Sequence, residues 1–352
     1  MKIELIAALS LFLMCGSPAQ DSAPSTVNSN EKELVLLLNK KLSDAAAARD
    51  AGDWNKAITI LEEATAIAPS RDLLWFKLGD AYRGAKRYQD AVDAYNKAIA
   101  IKPFGPYYNN LGEAESKLGI VQSAVQAYRD AIRVDPEKAD QYYSNIGAVE
   151  TNAGDLDAAN EAYDNAIQAN PNFALAYYFK GLNLLSDSKT VHGQAVIPSE
   201  ALKALQIYLD LAPEGQHASM CQRFLTFAHT EVTTTYNRDT PQDEDQRQET
   251  QEFVPQGSIR GVWQFQPTYP ELAREARIQG TVHLDAMIGK NGDVISLRVV
   301  SGNPFLVEAA LNAVKKWRYK PYIVSSAPVE VRTGIVVNFS LTSDGHEKYP
   351  QR

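Results

Sequence analysis

The sequence predicts two architectures in one chain, an all-α solenoid of repeated helix pairs followed by a small α+β domain in which an antiparallel sheet packs on helices. Three observations support this. A pattern of small and aromatic residues recurs three times in phase, a polar stretch then interrupts the chain, and alternating β-rich segments follow it. Because a chain of 352 residues exceeds one ordinary hydrophobic core, at least two domains are expected.

The repeat is marked by three glycines, Gly79, Gly112 and Gly147, which lie 33 and 35 residues apart. Small residues let two helices approach closely, an aromatic residue fills the space toward the next unit, and proline ends the second helix. One unit cannot bury its own apolar face, so the copies must stack. The residues at fixed offsets after each glycine are Ala91, Tyr95, Ala98 and Pro103; Ala124, Tyr128, Ala131 and Pro136; and Ala159, Tyr163, Ala166 and Pro171.

Weaker copies flank the three clear ones. The upstream copy keeps the spacing through Ala57 and Ala64 but lacks the aromatic residue, and the downstream copy begins at Gly181. An insertion of about eight residues near 186–198 is expected to form a loop on one face of the stack. We therefore predict five repeats, with a capping helix from about residue 214 to residue 230.

These signature positions resemble the tetratricopeptide repeat family. The resemblance implies a groove lined by the first helix of each unit, which binds a peptide or a partner protein; a purely architectural spacer is the alternative. The Lys and Asn pair that clamps a carboxylate in some members is absent, since Leu42 and Ala46 stand there. The inward-facing positions of this chain are Phe76, Asp80, Arg83, Asn109, Glu113, Ser116, Ser144 and Tyr178.

A polar stretch at residues 231–253 divides the chain and is predicted to be a linker, because it has little apolar surface to bury. Residues 253–352 carry 12 Lys and Arg against 8 Asp and Glu, so the whole-chain charge of −8 leaves −12 on residues 1–252. An acidic solenoid repels phosphate backbones, and the small positive excess near the C-terminus is no nucleic-acid footprint. Nucleic acid is therefore not an expected partner.

Residues 1–19 have the pattern of a secretory signal peptide. An apolar run from Leu5 to Met14 is too short for a permanent membrane span, and small residues follow it. Cleavage after Ala19 is the first interpretation, and it predicts a periplasmic protein. Two alternatives stay open, a lipid tether on Cys15 and an uncleaved anchor.

Residues from Gln266 onward predict the α+β domain. Residues 281–288 and 293–300 alternate in polarity around Asn291 and Gly292, which indicates a hairpin with a tight primed turn. Pro304 opens a helix with an apolar face, and a last strand is expected over 329–341. An antiparallel sheet packed on helices follows from this order.

This region resembles the C-terminal domain of the TonB family in the order and spacing of its motifs. The match runs from QPTYP at 266–270, through KKWRYKP at 315–321, to VNF at 337–339. It implies a periplasmic domain that adds a strand to an extended segment of an outer-membrane transporter. The implied partner-binding residues are Gln266, Pro267, Tyr269, Pro270, Val331, Val336, Val337, Asn338 and Phe339. The alternative is that Tyr269, Trp317 and Tyr319 are simply core and corner residues of a small domain.

Catalytic and metal-binding patterns are not found in the sequence. The five histidines show no metal-ligand spacing, and no phosphate loop or nucleophile motif can be placed. We therefore expect no enzyme activity, no cofactor and no small-molecule substrate, but an envelope adaptor that binds proteins or peptides. The alternative is an energy-transducing transport component with a retained anchor. The predicted domains are a signal peptide (1–19), an N-terminal segment (20–37), the solenoid with its cap (38–230), the linker (231–253), the TonB-like domain (254–343) and a tail (344–352).

Overall fold

The computed structural model describes residues 29–191, 194–238, 253–255 and 258–342. The predicted signal peptide, with Cys15 and Ala19, lies outside the described residues, and so does most of the predicted linker. Across the described ranges, no helix is both long enough and apolar enough to cross a membrane.

The first part of the chain is a stack of antiparallel helix pairs, which confirms the predicted solenoid. Five pairs run from α1/α2 to α9/α10, and α11 follows them. A Cβ atom at Gly79 would lie 2.5 Å from the Tyr95 ring, so glycine allows the helices to approach. The helices are α1 (Ser29–Asp50), α2 (Trp54–Ile67), α3 (Asp72–Gly84), α4 (Tyr88–Ile101), α5 (Gly105–Lys117), α6 (Val121–Val134), α7 (Ala139–Ala153), α8 (Leu156–Ala169), α9 (Ala174–Leu185), α10 (Ser199–Leu211) and α11 (Ala218–Ala228), with a 3₁₀ turn at Pro136–Lys138.

The insertion between α9 and α10 is not the loop that we expected. It folds into a hairpin of β1 (Lys189–Val191) and β2 (Gln194–Val196). The Thr190 amide donates a hydrogen bond to the Gly302 carbonyl at 2.9 Å, so the hairpin is tied to the C-terminal domain. Strand formation satisfies backbone groups that a loop in this position would leave to water.

The C-terminal domain is an antiparallel sheet packed on helices, as predicted. Its four-stranded sheet has the order β10, β5, β6, β3. Residues 235–237, which fall within the predicted linker, instead form β3 and pair with β6, because the half-buried Tyr236 packs against the core. The elements are β3 (Thr235–Asn237), β4 (Gly261–Trp263), α12 (Glu271–Glu275), β5 (Gly280–Ile288), β6 (Val294–Ser301), α13 (Pro304–Val314), β7 (Arg318–Tyr319), β8 (Tyr322–Val324), β9 (Ala327–Val329) and β10 (Val331–Phe339).

The turn of the β5–β6 hairpin differs from the predicted two-residue primed turn. Five residues, 289–293, connect the strands. Of Asn291 and Gly292, only Gly292 has a positive φ, at 79°. A Cβ atom on Gly292 would lie 1.9 Å from the Tyr319 carbonyl oxygen, so this glycine is required by close backbone approach. A two-residue loop with two positive φ values occurs instead at Ser325 and Ser326, between β8 and β9.

The solenoid and the C-terminal domain share one hydrophobic core. Buried residues of α9, α10 and α11 belong to the same cluster as the apolar face of the sheet and α13. Phe227 stacks on Phe305 with ring centroids 4.2 Å apart, and the Asn303 amide donates to the carbonyls of Leu185 and Ser186. The two parts are therefore packed together rather than joined only by a linker.

Candidate functional site

Inward-facing side chains of α3, α5 and α7 form one connected hydrogen-bond network. Asp80 accepts hydrogen bonds from the Tyr95 hydroxyl at 3.0 Å and from the Asn110 amide at 2.9 Å. Asn109 donates to the Asn110 side-chain oxygen and accepts from the Asn145 amide at 2.8 Å. The bonds from Asn110 to Asp80 and from Asn145 to Asn109 cross from one repeat to the next, and the four bonds together fix the directions of the three amides. We call Asp80, Arg83, Asn109, Asn110, Glu113 and Asn145 the groove network.

The charged side chains of the groove network are paired with one another and with Lys77, which lies beside it. Arg83 pairs with Glu113 on the next repeat and lies 3.8 Å from Asp80, which is also 3.6 Å from Lys77. Burial disfavours the Arg83 charge, but Tyr95, Glu113 and Asp80 together outweigh it and raise the pKa of the guanidinium. Burial and the Asp80 charge also raise the pKa of the Tyr95 phenol. The arginine therefore stays charged, and the phenol stays a hydrogen-bond donor.

The other predicted groove residues lie around this network. Phe76 packs on Tyr107 with ring centroids 4.6 Å apart, at the end of the groove nearest the N-terminus. Ser144 is buried and Ser116 is half-buried. Phe76, Asp80, Arg83, Asn109 and Glu113 thus lie on one continuous surface with Ser116 and Ser144 beside it.

Tyr178, the last predicted groove residue, is covered by the chain's own C-terminal domain. Its side chain is 1% exposed, and its hydroxyl donates to Glu275 of α12 at 2.6 Å. Its ring stacks on His217 with centroids 4.0 Å apart. Nearby, Arg277 donates a hydrogen bond to the side-chain oxygen of Asn152, which lies near the C-terminal end of α7. The end of the groove at α9 is therefore filled from within the molecule.

Two residues of the groove network, Asn110 and Asn145, were not among the predicted positions. Each directly follows a predicted inward position, Asn109 in one repeat and Ser144 in the next. The signal was present in the sequence, because asparagine recurs at the same repeat position 35 residues apart. Such a recurrence of a polar residue at one position indicates a ladder along the groove.

The predicted residues of β10 divide between two faces of the sheet. Val331, Val337 and Phe339 are buried, and Phe339 meets the Tyr269 ring edge-on at 5.5 Å. Val336 and Asn338 point to the opposite face, and Asn338 is exposed. Only the backbone of β10, together with this second set of side chains, can therefore reach a partner.

The outer edge of β10 is partly occupied by the chain itself. The Arg332 carbonyl accepts a hydrogen bond from the Val254 amide at 2.9 Å, and Phe253 forms an isolated parallel bridge to Arg332. Beyond this point no other described strand pairs with the edge. A cavity of about 320 Å³ lies there instead, lined by Ile259, Arg260, Gly261, Gln264, Trp317, Tyr319, Thr333, Gly334 and Ile335.

The QPTYP segment lies apart from that cavity. Tyr269 is a core residue whose hydroxyl donates to the Ile278 carbonyl, and Pro267 is also buried. Gln266 is exposed and, with Pro267 to Pro270, lines a separate cleft of about 830 Å³ between α11, α13 and residues 230–233. The structure thus does not bring the two predicted halves of the TonB-like site into one pocket.

A charged cluster lies on the sheet face opposite the helices. Asp285 on β5 is flanked by Arg332 on β10 and Arg298 on β6, at 3.1 Å from Arg298. Burial disfavours the Asp285 charge, but hydrogen bonds and charge from both arginines outweigh it and lower the pKa of the carboxyl below its usual value. The pair across β10 and β5 therefore supports the edge strand. In the parts of the chain that the structure describes, no three His, Cys, Asp or Glu side chains form a metal-binding group.

Comparison with known families locates both resemblances on the chain. Two tetratricopeptide repeat models match residues 42–106 with 149–189, and residues 105–138. The model described as Gram-negative bacterial TonB protein C-terminal matches residues 265–341. Both families are interaction domains without catalytic activity, so the matches support protein or peptide binding, and the second points to the cell envelope.

Among curated relatives, Protein TonB of Vibrio cholerae is 36% identical over 80 residues, which are 22% of this chain and 33% of that protein. The Hsp70-Hsp90 organizing protein of Triticum aestivum is 33% identical over 91 residues, 26% of this chain and 16% of that protein. The chain thus spans a third or less of the length of these relatives. A solved structure, the crystal structure of MamA, is 26% identical with a TM-score of 0.42 and covers 48% of this chain and 95% of its own.

The family matches agree with the two parts of the fold. Helices α2 to α6, α8 and α9 fall within the repeat matches, α7 does so in part, and α10 lies beyond them, while the sheet domain falls within the other match over residues 265–341. Residues 42–189 therefore carry tetratricopeptide repeats, and residues 265–341 form a TonB-family C-terminal domain.

Proposed function

We propose that this protein is a non-enzymatic adaptor of the periplasm that holds two protein partners. The groove of α3, α5 and α7 binds an extended segment of one partner. The β10 edge adds a strand from the other, an outer-membrane transporter or another envelope protein. The observation that carries the proposal is the groove network, a polar surface that three successive repeats build and that the sheet domain leaves uncovered.

The groove network has the chemistry to bind a peptide backbone. Each asparagine amide carries donors and an acceptor, and a peptide presents one donor and one acceptor at almost every residue. The network already orients Asn109 and Asn145, so little side-chain entropy is lost when a ligand binds. The half-buried Phe76, which packs on the buried Tyr107, offers an apolar contact at the N-terminal end. An extended, uncharged or mixed-charge segment fits this surface best.

Strand addition at β10 is supported by the geometry of its edge. Hydrogen-bonding directions alternate along an antiparallel strand, and the Arg332 carbonyl points away from β5. The backbone groups of Gly334, Val336 and Asn338 therefore point outward as well. An incoming strand can pair with these groups, which is the recurring mode of edge recognition. Since Val254 already pairs at Arg332, the added strand must begin beyond it or displace it.

The strand-addition half of the proposal is tested by amide NMR of the full chain, titrated with extended peptides from outer-membrane transporters. We expect shifts concentrated at Thr333 to Asn338 in the wild type. Val336→Pro removes an outward-facing amide and should abolish them, while Val336→Thr, which keeps the amide, should not. Equal shifts in both variants would rule out strand addition.

The groove half is tested by capture of envelope proteins on the immobilised full chain. Asn109→Ala breaks the groove network in its middle and should remove the captured partner. Gln126→Ala, an exposed change on α6 outside the groove, should keep it. Loss of the partner in both variants, or in neither, would contradict groove binding.

The transport alternative depends on residues 1–28, which lie outside the described structure. A retained anchor would let this chain be pulled from the inner membrane, as an energy-transducing component requires. The mass of the mature protein, combined with membrane fractionation, separates the two functions. A soluble chain that begins at Gln20 supports the adaptor.

A further inference from the structure

The N-terminal helix α1 exposes an apolar run that no described element covers. Leu34, Val35, Leu36 and Leu37 are 36%, 39%, 68% and 44% exposed. Leu38, the next residue, is 1% exposed and packs on Ala64, Ala68 and Leu74. The helix therefore enters the solenoid at Leu38 and leaves an apolar turn outside it.

This exposure is unusual for the end of a solenoid. Terminal repeats normally present a polar outer face, because nothing stacks on them. Here the outward side of α1 has leucine at two adjacent positions, of which Leu36 is the most exposed large apolar residue of the described chain. A contiguous exposed apolar patch of this kind marks an interaction site.

The charges beside the leucines identify the occupant. Glu33 lies three and four residues before Leu36 and Leu37, and Lys40 lies four and three residues after them, so all four share one face of α1. If a second α1 lies antiparallel with residue 33 opposite residue 40, Leu36 also faces Leu37. Two Glu33–Lys40 pairs then flank four leucines. A parallel arrangement would instead place like charges together.

We propose that a second copy of this chain docks on α1 in that antiparallel arrangement and forms a two-fold dimer. A two-fold interface must be self-complementary. This face of α1 is, because leucine lies opposite leucine and Glu33 lies opposite Lys40. Lys41 does not disturb the pairing, because it is held by Glu63 of α2. The proposal is independent of the groove network and of β10.

The dimer is a weak one. The shared face covers about two turns of helix, so the buried area falls below the roughly 1,200 Å² at which stable complexes begin. We expect a dissociation constant on the order of 10 μM. In a dimer, two grooves and two β10 edges belong to one assembly, so that a partner with two copies of a binding segment gains avidity.

Sedimentation velocity of the purified protein from about 1 to 100 μM tests the proposal around that constant. We expect a concentration-dependent dimer in the wild type and monomers for Leu36→Glu, Glu33→Lys and Lys40→Glu. The double variant Glu33→Lys/Lys40→Glu restores the opposite charges in the same register and should recover the dimer. Glu137→Lys makes the same charge change on an exposed residue elsewhere and should leave the dimer intact.

The outcomes separate the possible occupants of this face. A wild type that is monomeric throughout overturns the proposal, whether or not the helix then binds lipid vesicles or residues 1–28. A dimer that survives Glu33→Lys, or a double variant that stays monomeric, overturns the antiparallel pairing. If Glu137→Lys also loses the dimer, net charge and not the pairing of Glu33 with Lys40 explains the loss in the α1 variants. Circular dichroism of each variant excludes unfolding as the cause of a monomer.

Discussion

The second to fourth repeats and the fifth repeat have the same helix-pair geometry but opposite inward faces. On α3, α5 and α7 the inward side chains are polar and bond mainly to one another. On α9 they are apolar or aromatic, and Tyr178, Leu182 and Leu185 are buried under the C-terminal domain. The signature residues that maintain the helix-pair fold therefore do not determine what covers the groove. The side chains at the inward positions determine it.

This difference assigns separate tasks to the two regions. Where the inward face is polar, hydrogen bonds satisfy the groove network without a ligand, and the surface stays soluble and available. Where it is apolar, burial of Tyr178 stabilises the junction, and the same side chain is lost to any outside partner. The contrast should appear in stability, because the two regions should respond differently to matched changes.

The largest effect is expected for Tyr178→Ala. Truncation of a fully buried aromatic costs about 3–5 kcal/mol, and here it also leaves Glu275 without its hydrogen bond. Phe76→Ala is the matched change at the same position of the second repeat, where the ring is only half-buried, and should cost about 1–2 kcal/mol. Hydrogen exchange, read separately for the sheet and for α3, measures both.

The elements that lose protection distinguish Tyr178→Ala from Phe76→Ala more clearly than the size of the loss does. Tyr178→Ala should lower protection in β5 and α13 as well as in α9, because they belong to one core. Phe76→Ala should lower protection only in the second and third repeats. Equal loss in both domains from either variant would show that the regions unfold as one unit and would remove the contrast.

Gly292→Ala tests the junction from the side of the sheet. Alanine at a positive φ costs about 1–2 kcal/mol, and relief of the contact with the Tyr319 carbonyl about 1–3 kcal/mol more. Gly334→Ala is the control in the same sheet, since nothing lies within 4 Å of its Cβ position. Differential scanning calorimetry should show a lower first transition for Gly292→Ala alone. An unchanged transition would mean that the turn yields without cost.

The sequence determined most of the solenoid because its signature positions act locally. Gly79 and Tyr95 meet within one repeat, so their spacing alone predicts the packing. The same holds for the order of elements in the sheet domain. Alternating residues also marked β5 and β6, although the five-residue turn depends on Tyr319, which is far away in sequence and could not be seen from Asn291 and Gly292.

The covered end of the groove could not be predicted for a similar reason. Tyr178 occupies an inward position like Phe76, and nothing near it in sequence shows that Glu275, 97 residues later, will accept a hydrogen bond from its hydroxyl. The β3 strand was hidden because three residues in a polar stretch become a strand only beside β6. Contacts between parts that are distant along the chain set both outcomes, whereas Asn110 and Asn145 were visible as a repeat.

Acidification should affect the solenoid and the sheet differently. Burial raises the pKa of Glu115, whose Oε2 atom is buried without a hydrogen-bond partner, and burial followed by Asp155 raises that of Glu150. For a raised carboxyl pKa, stability is fully present below the unfolded value near 4.5 and is lost as pH rises through the folded pKa. Acidification from pH 7 toward 4.5 should therefore stabilise the third and fourth repeats.

The sheet should not respond over the same pH range. The lowered pKa of Asp285 stabilises the sheet above its unfolded value near 3.8, and this contribution is lost only as pH falls through the still lower folded pKa. Hydrogen exchange at pH 7 and pH 5 should thus show a gain in α5 and α7 and no loss in β5. Glu115→Gln/Glu150→Gln should flatten the gain; if the double variant keeps it, other acidic groups of the solenoid are responsible.

The smallest expected effect is that of Arg277→Ala at the boundary of the two regions. The side chain donates to Asn152 on the surface, and loss of one such bond costs about 0.5–1 kcal/mol. Arg277 also has a positive φ of 51°, which alanine retains and glycine relieves. Arg277→Gly should therefore be close to neutral in urea unfolding, because the relieved backbone offsets the lost bond. If alanine and glycine destabilise equally, the backbone carries no strain and the side chain alone ties α7 to the sheet domain. If neither variant is destabilised, the buried contacts of Tyr178 keep that end of the groove covered without the hydrogen bond between Arg277 and Asn152.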